Sequence, residues 1–514
     1  MSTFTSNVSA ANPSAARASA RGQMDFLNQS APRRIRHTKI VCTIGPSSSS
    51  PEVLREMVLA GMNVVRLNFS HGAHEDHAKV VASVRAIAKE ISRPMAIIAD
   101  LQGPKIRVGQ LVGEKLLVTG EMITILTKDL PEAQDVAEHE LPVKLEALSR
   151  SVENGSTIML ADGSIRLLVK EVDPTSGRIG CLVEEGGPIS TAKGVNLPDV
   201  ELDIPALTEK DIKDLAFALT QKVDYVAQSF VRSPDDIERL RQLISEQVAP
   251  GENRPQIISK IEKPQAVERL DDIMAASDGV MVARGDLGVE LGPADVPLVQ
   301  KHIIKRANEM GIPVITATQM LETMTYNSEP TRAEASDVAN AVLDGTSAVM
   351  LSGETAVGKW PVHAIRYLDK IARAVEPAME APSSYLDSRR TTSVPQALAD
   401  AACEIGELLD TAAIVVLTET GRTARQVSRN RPRRPVIAAS RDVHACRRLA
   451  LDWGTVPVLI HELPEGGDPI WTDSATAAKL SGLINPGERV VFTAGTIAGE
   501  PGFTNMLKVE EFSA

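Results

Sequence analysis

The 514-residue chain is 43% hydrophobic and 24% charged, enough apolar content to build several packed cores. Its formal net charge of −12 excludes the broad basic face of a nucleic-acid binder, though not a local basic pocket for a small anion. The four cysteines are far apart, with neither metal spacing nor a disulfide framework, and no apolar run approaches the ~18 residues of a membrane span.

Residues 1–36 are rich in Ser, Ala and Asn, with five Arg and only Asp25 acidic, which reads as a disordered tail. An organelle transit peptide has the same composition, so a plastid or other organelle is the alternative to a cytoplasmic location. From residue 37 onward, short β-branched runs alternate with helix-period segments. Strands are expected over 38–44, 63–69 and 95–100, with helices over 50–61 and 74–91. The alternation then breaks. Residues 105–200 carry short β runs between turn signals such as Asn154-Gly155 and Asp162-Gly163, as an inserted all-β module would. It resumes with strands over 224–230, 256–261, 279–283, 313–318 and 348–351. Eight β/α units over roughly 250 residues indicate a (β/α)8 TIM barrel, an open doubly wound sheet being the weaker alternative. The barrel would comprise 37–104 and 201–382, and a separate α/β domain 383–514, with helices including 264–276, 423–429 and 443–453.

Within 256–290 two strand tips carry Lys260 with Glu262 and then Asp286. Parallel neighbours put such tips side by side, and two carboxylates make a hard-cation pocket that leaves places for substrate oxygens. Lys260 beside them supplies positive charge for an anion on that metal. Other polar residues fall just past strand ends, including Asn68, Ser70, Asp100, Lys105, Thr318, Ser352 and Glu354, where a barrel holds its active site. His71, His74 and His77 are spaced poorly for a shared metal face, and a solvated helix start is the plainer reading of the last two. The run Arg431–Arg434 reads as a solvated turn.

Taken together, TKIVCTIGPSS, GMNVVRLNFSHG, ADLQGPKIRVG, IISKIE, DGVMVARGDLGVE, PVITATQML and AVMLSGETAVG resemble the pyruvate kinase family, over about residues 38–509. The resemblance implies a barrel with a β-rich lid after the third strand and a C-terminal regulatory domain. It implies phosphoryl transfer from phosphoenolpyruvate to ADP, giving pyruvate and ATP, in a cytoplasmic homotetramer. Glu262 and Asp286 match ligands of Mg²⁺ or Mn²⁺, while Lys260 and Arg66 match contacts to the phosphoryl group. Gly285 would let backbone N–H groups approach the substrate carboxylate at a short helix starting near Asp286. Thr318, supported by Ser352 and Glu354, would place the proton that converts enolate to ketone. Arg107 and Lys193 match nucleotide-phosphate contacts, with Asn68, Ser70 and His71 beneath the nucleotide.

Two departures carry expectations of their own. Asn68, Ser70 and Asp100 match the family's monovalent-cation ligands, but Leu101 replaces a Thr and Lys105 a Glu, so a tethered ammonium replaces K⁺ and K⁺ is not required. Thr418, Thr420, Gly421, Arg422 and Thr423 match the loop that binds phosphorylated effectors. Glu419 there disfavours fructose 1,6-bisphosphate and points to a monophosphate such as AMP or a sugar phosphate, or to no effector. A barrel that makes or breaks carbon–carbon bonds through an enolate would not need Arg107 or Lys193. A non-catalytic metabolite sensor would have no need of an intact Lys260 and carboxylate pair.

Overall fold

A computed structural model describes residues 35–512, except 199, 201, 203, 380–392, 461–468 and 496–503, and without the side chains of 469–472. The tail expected over 1–36 lies outside the described residues up to position 34, as does the barrel's expected limit at 382. Arg36, which composition assigned to the tail, is instead buried. Its guanidinium donates to Gly61 O (2.7 Å) and pairs with Asp369 (3.2 Å).

Eight parallel strands close into a barrel: β1 (Lys39–Thr43), β2 (Val64–Asn68), β3 (Ala96–Asp100), β4 (Tyr225–Gln228), β5 (Gln256–Ile261), β6 (Gly279–Ala283), β7 (Val314–Ala317) and β8 (Ala348–Leu351). Both faces of these strands are covered, which is why they read as apolar runs without alternation. One face, with Val65, Ile97, Ile257 and Val349, packs against the surrounding helices. The other, with Val41, Ile98, Tyr225, Met281 and Met350, fills the barrel. Ser50 caps the helix Pro51–Ala60 by accepting from Val53 N, and Gly61 ends it at φ 123°.

Between β3 and β4 the chain builds a separate six-stranded sheet and a two-stranded one around their own core, with Ile125, Leu141, Ile158, Leu167 and Val183. Strands Glu140–Pro142, Gly187–Ile189 and Val195–Asn196 of this module are too short to show a period of two. The C-terminal part is a five-stranded sheet, parallel except for its last strand, with apolar clusters on both faces. Among the described residues no helix is long and apolar enough to cross a membrane.

Two expected helices change in the structure. The one over 264–276 breaks into Pro264–Glu268 and Leu270–Ala276 at Arg269 (φ −104°, ψ 25°). The one over 443–453 ends at Leu449, and the next residues turn away. Ala450 and Leu451 then join the side chains inside the barrel and close its N-terminal end. Around this plug, Arg425 reaches Asp452 (3.0 Å), Gln256 (2.6 Å) and Tyr225 Oη (3.1 Å), while His37 stacks on Trp453 at 4.6 Å. Arg431 also belongs to this seam, contrary to the solvated-turn reading. It lies over the Trp453 ring and donates to Gly345 O and Ser347.

Lys39 at the same seam donates to Thr455 O at 2.5 Å and is buried. Burial, with Arg36 and Arg93 nearby, pushes its pKa down to about 7 despite Glu376 and Asp452. An unfolded lysine keeps its proton to about pH 10. The unfolded chain therefore binds more protons between about pH 7 and 10, and this residue's cost to folding is largest below 7 and fades as pH rises. Lys39→Met is expected to raise the urea midpoint at pH 6 and to lose more than half of that advantage by pH 9. A difference independent of pH would rule this out.

Candidate active site

All the strand-end residues singled out above sit at the C-terminal mouth of the barrel or just beyond it. The register pairs Asn68 with Asp100 across β2 and β3, and Lys260 with Met281 across β5 and β6. Lys260 is the centre. Its Nζ donates to Ser229 Oγ at 2.7 Å and lies 2.9 Å from Glu262 Oε1 and 3.4 Å from Asp100 Oδ1. Burial disfavours the ammonium, yet the Asp100 and Glu262 carboxylates outweigh it and hold the Lys260 pKa above the ordinary lysine value. Asp100 gives its other oxygen to Arg66 Nε at 2.6 Å, and Arg66 also donates to Thr43 Oγ1 at 2.9 Å. Burial of Asp100 is offset by Lys260 and Arg66, which together keep its pKa below the usual carboxylate range.

Glu262 is fully buried, and its second oxygen accepts from Phe230 N at 2.7 Å. Burial raises its pKa and Asp286 adds to the effect, with Lys260 acting against both. A carboxylate held in this way, beside another, fits a divalent cation. Among the described residues no group of three or more His, Cys, Asp or Glu could hold a metal. Glu262 and Asp286 could together offer carboxylate oxygens to a hard divalent cation, leaving places for other oxygen ligands, unlike a closed zinc site. Lys105 Nζ lies 3.3 Å from Asp286 Oδ1, whereas both Asp100 oxygens face Arg66 and Lys260.

The helix after β6 begins at Arg284, two residues earlier than expected, which places Asp286 in its first turn. The Gly285 amide donates to Thr318 Oγ1 at 2.8 Å. Thr318 in turn donates to Ala317 O and takes φ 69°, so the hydroxyl is held in one orientation at the site. Glu354 is buried and bridges two loops, accepting from Leu321 N (3.0 Å) and Ser352 N (2.7 Å). Ser352 Oγ is buried without a partner among the described residues.

Asn68 Oδ1 accepts from Ser70 N at 3.1 Å, and the His71 side chain is exposed. His77 is not solvated as expected. It is buried, its Nε2 lies 3.0 Å from His71 O, and burial lowers its pKa. His74 stacks on Phe217 and contacts Asp214 at 2.8 Å. On the inserted module, Arg107 donates to Ala192 O at 3.0 Å, and Lys193 stands exposed next to the bridge partner of Arg107, Gly194. In the C-terminal loop Gly421 N donates to Thr418 Oγ1 and Thr423 shares a hydrogen bond with Thr504, leaving Thr420 and Arg422 exposed beside Glu419.

Sequence reasoning missed Ser229 and Thr43, which position Lys260 and Arg66. Both lie at or just past a strand end, the same signal that marked the others.

Two family profiles match the chain: "Pyruvate kinase, barrel domain" over residues 35–365 and "Pyruvate kinase, alpha/beta domain" over 396–510. The chain is 46% identical over 482 residues to "Pyruvate kinase 2" of Synechocystis, covering 93% of this chain and 80% of that protein. It is 44% identical to the pyruvate kinase of Geobacillus stearothermophilus, covering 93% and 81%. With that of Sporosarcina psychrophila the identity is 43%, covering 92% and 80%. Matches of this extent, on a barrel of this construction, mean that the chain belongs to the pyruvate kinase family.

Proposed function

We propose that this protein transfers the phosphoryl group of phosphoenolpyruvate to ADP, giving pyruvate and ATP. The observation that carries the reading is the buried Lys260 ammonium, held between two carboxylates at the barrel mouth. Phosphoryl transfer needs positioning and charge more than covalent chemistry, and a fixed cation at the transferring group supplies both. Arg66, aligned by Asp100 and Thr43, is placed to grip the phosphate, and its planar fork suits that better than a lysine. Thr318, with its hydroxyl fixed, is placed to hold the proton that ends on the enolate carbon. Glu354 fixes the loop that presents Ser352. Arg107 and Lys193 would contact the nucleotide phosphates, above Asn68, Ser70 and His71. Glu262 and Asp286 would hold Mg²⁺ or Mn²⁺, which when bound supplies Lewis-acid charge to the substrate oxygens. Pyruvate formation from phosphoenolpyruvate and ADP with Mg²⁺ tests the reading; no turnover under any salt would favour a metabolite sensor.

The reaction is proposed to proceed without K⁺, because the Lys105 ammonium is a tethered monovalent charge at the metal pair. Replacing a tetraalkylammonium salt by KCl should leave kcat within about twofold, a range too small to reflect a lost first-order charge effect. A rise of tenfold or more would sink the proposal.

For the C-terminal loop, the exposed Arg422 and Thr420 favour an anionic effector, and the exposed Glu419 opposes a second phosphate. A monophosphate such as AMP, ribose 5-phosphate or glucose 6-phosphate should lower half-saturating phosphoenolpyruvate, if any effector does. A strong response to fructose 1,6-bisphosphate alone would count against this.

A further inference from the structure

The helix Arg284–Leu291 carries Asp286 in its first turn and Glu290 one turn later, so both side chains lie on one face of it. Glu290 is buried, with a side chain 1% exposed. Its Oε1 accepts from Lys263 Nζ at 2.6 Å and from Asn196 Nδ2 at 3.0 Å. Its Oε2 is buried with no partner among the described residues, so the anchoring of this carboxylate runs through one oxygen shared by two donors. The donors come from different bodies. Lys263 follows β5 in the barrel, whereas Asn196 ends the last strand of the inserted module and is itself buried. Two further contacts join that module to the same helix. A Cβ on Gly163 would meet Val289 at 3.4 Å, and Lys105, at the entry to the module, pairs with Asp286.

We propose that Asn196, Glu290 and Lys263 form a latch that sets the resting position of the inserted module over the barrel mouth. Glu290 is a positioning residue: through one helical turn it ties that position to Asp286. The charge-assisted pair with Lys263 holds the buried carboxylate in place, and the Asn196 amide is the arm that releases when the module swings away. That this position matters for nucleotide rests on the proposed roles of Arg107 and Lys193, which the module carries.

The test uses the full chain with spin labels on Met122→Cys, on an exposed strand site of the module, and Leu59→Cys, on an exposed barrel-helix site. The four native cysteines are buried and stay unlabelled, and labelled chains are diluted with unlabelled ones so that each pair is read within one chain. Without any substrate, Asn196→Ala is expected to broaden the label–label distance distribution and lengthen its mean. In the unlabelled enzyme, Asn196→Ala and Glu290→Gln should each raise KM for ADP about tenfold, because the fraction of molecules poised to bind falls. KM for phosphoenolpyruvate and kcat should stay within about twofold on the same grounds, and the double variant should be no worse than the single ones. An unchanged distance distribution would overturn the latch. A changed distribution with unchanged KM for ADP would instead overturn the nucleotide roles of Arg107 and Lys193, with the latch standing.

Discussion

Lys260→Met is expected to lower kcat by about 10³-fold or more, the scale seen when a cation that stabilises a transferring phosphoryl group is removed. The geometry argues for the size of the effect. The ammonium is buried, donates to Ser229, and faces both Asp100 and Glu262, so no solvent cation can take its place without rearrangement. The same change leaves Asp100 with Arg66 and Glu262 with the Phe230 amide, and takes from both the cation they share. Their pKa values must then rise in the folded protein, and a raised carboxylate pKa makes stability fall as pH increases. The variant should therefore be least stable relative to the parent near pH 8 and recover part of the difference near pH 5. Steady-state pyruvate formation reads the first effect and urea midpoints at the two pH values read the second. Turnover within tenfold of the parent would remove Lys260 from its role, and a pH-independent stability loss would remove the carboxylates from theirs.

Leu451→Ala carries the second large effect, on stability. Leu451 is fully buried inside the barrel although it belongs by chain order to the C-terminal domain. Truncating a buried leucine costs about 2–5 kcal/mol, because the cavity left behind collapses only partly. The urea midpoints read by catalytic activity and by far-UV circular dichroism should fall together, since one side chain serves both domains. If the two midpoints separate and activity keeps the parent value, the plug is not shared and the prediction is wrong.

Much of this was legible in the chain itself, for physical reasons that differ by element. The barrel strands announced themselves because both faces are covered, so each is a mostly apolar run with polar residues at or just past its end; the expected ranges for β5, β6 and β8 match those of the structure. Closure of the sheet then brings strand ends together, which is why Lys260, Glu262 and Asp100 could be grouped from order alone. Pairings between side chains were another matter. Lys105 was read as serving the Asn68 and Asp100 group, yet its partner is Asp286, which only the third dimension brings near. His77 and Arg431 read as solvated because charge and polarity say nothing of a ring to stack on or a carbonyl to meet. The helix expected through 453 failed because Ala450 and Leu451 keep an apolar pattern for the barrel interior rather than for a helix face.

The plug also limits how this protein can be taken apart. The lowest layer of the barrel is finished by side chains that arrive more than 90 residues after β8, so a fragment stopping short of them would hold a hole where a floor belongs. The catalytic barrel is consequently not a portable unit to be grafted or expressed alone. Any turn of the C-terminal domain would act like a stopper in a neck, moving two side chains of an apolar cluster to which all eight strands contribute.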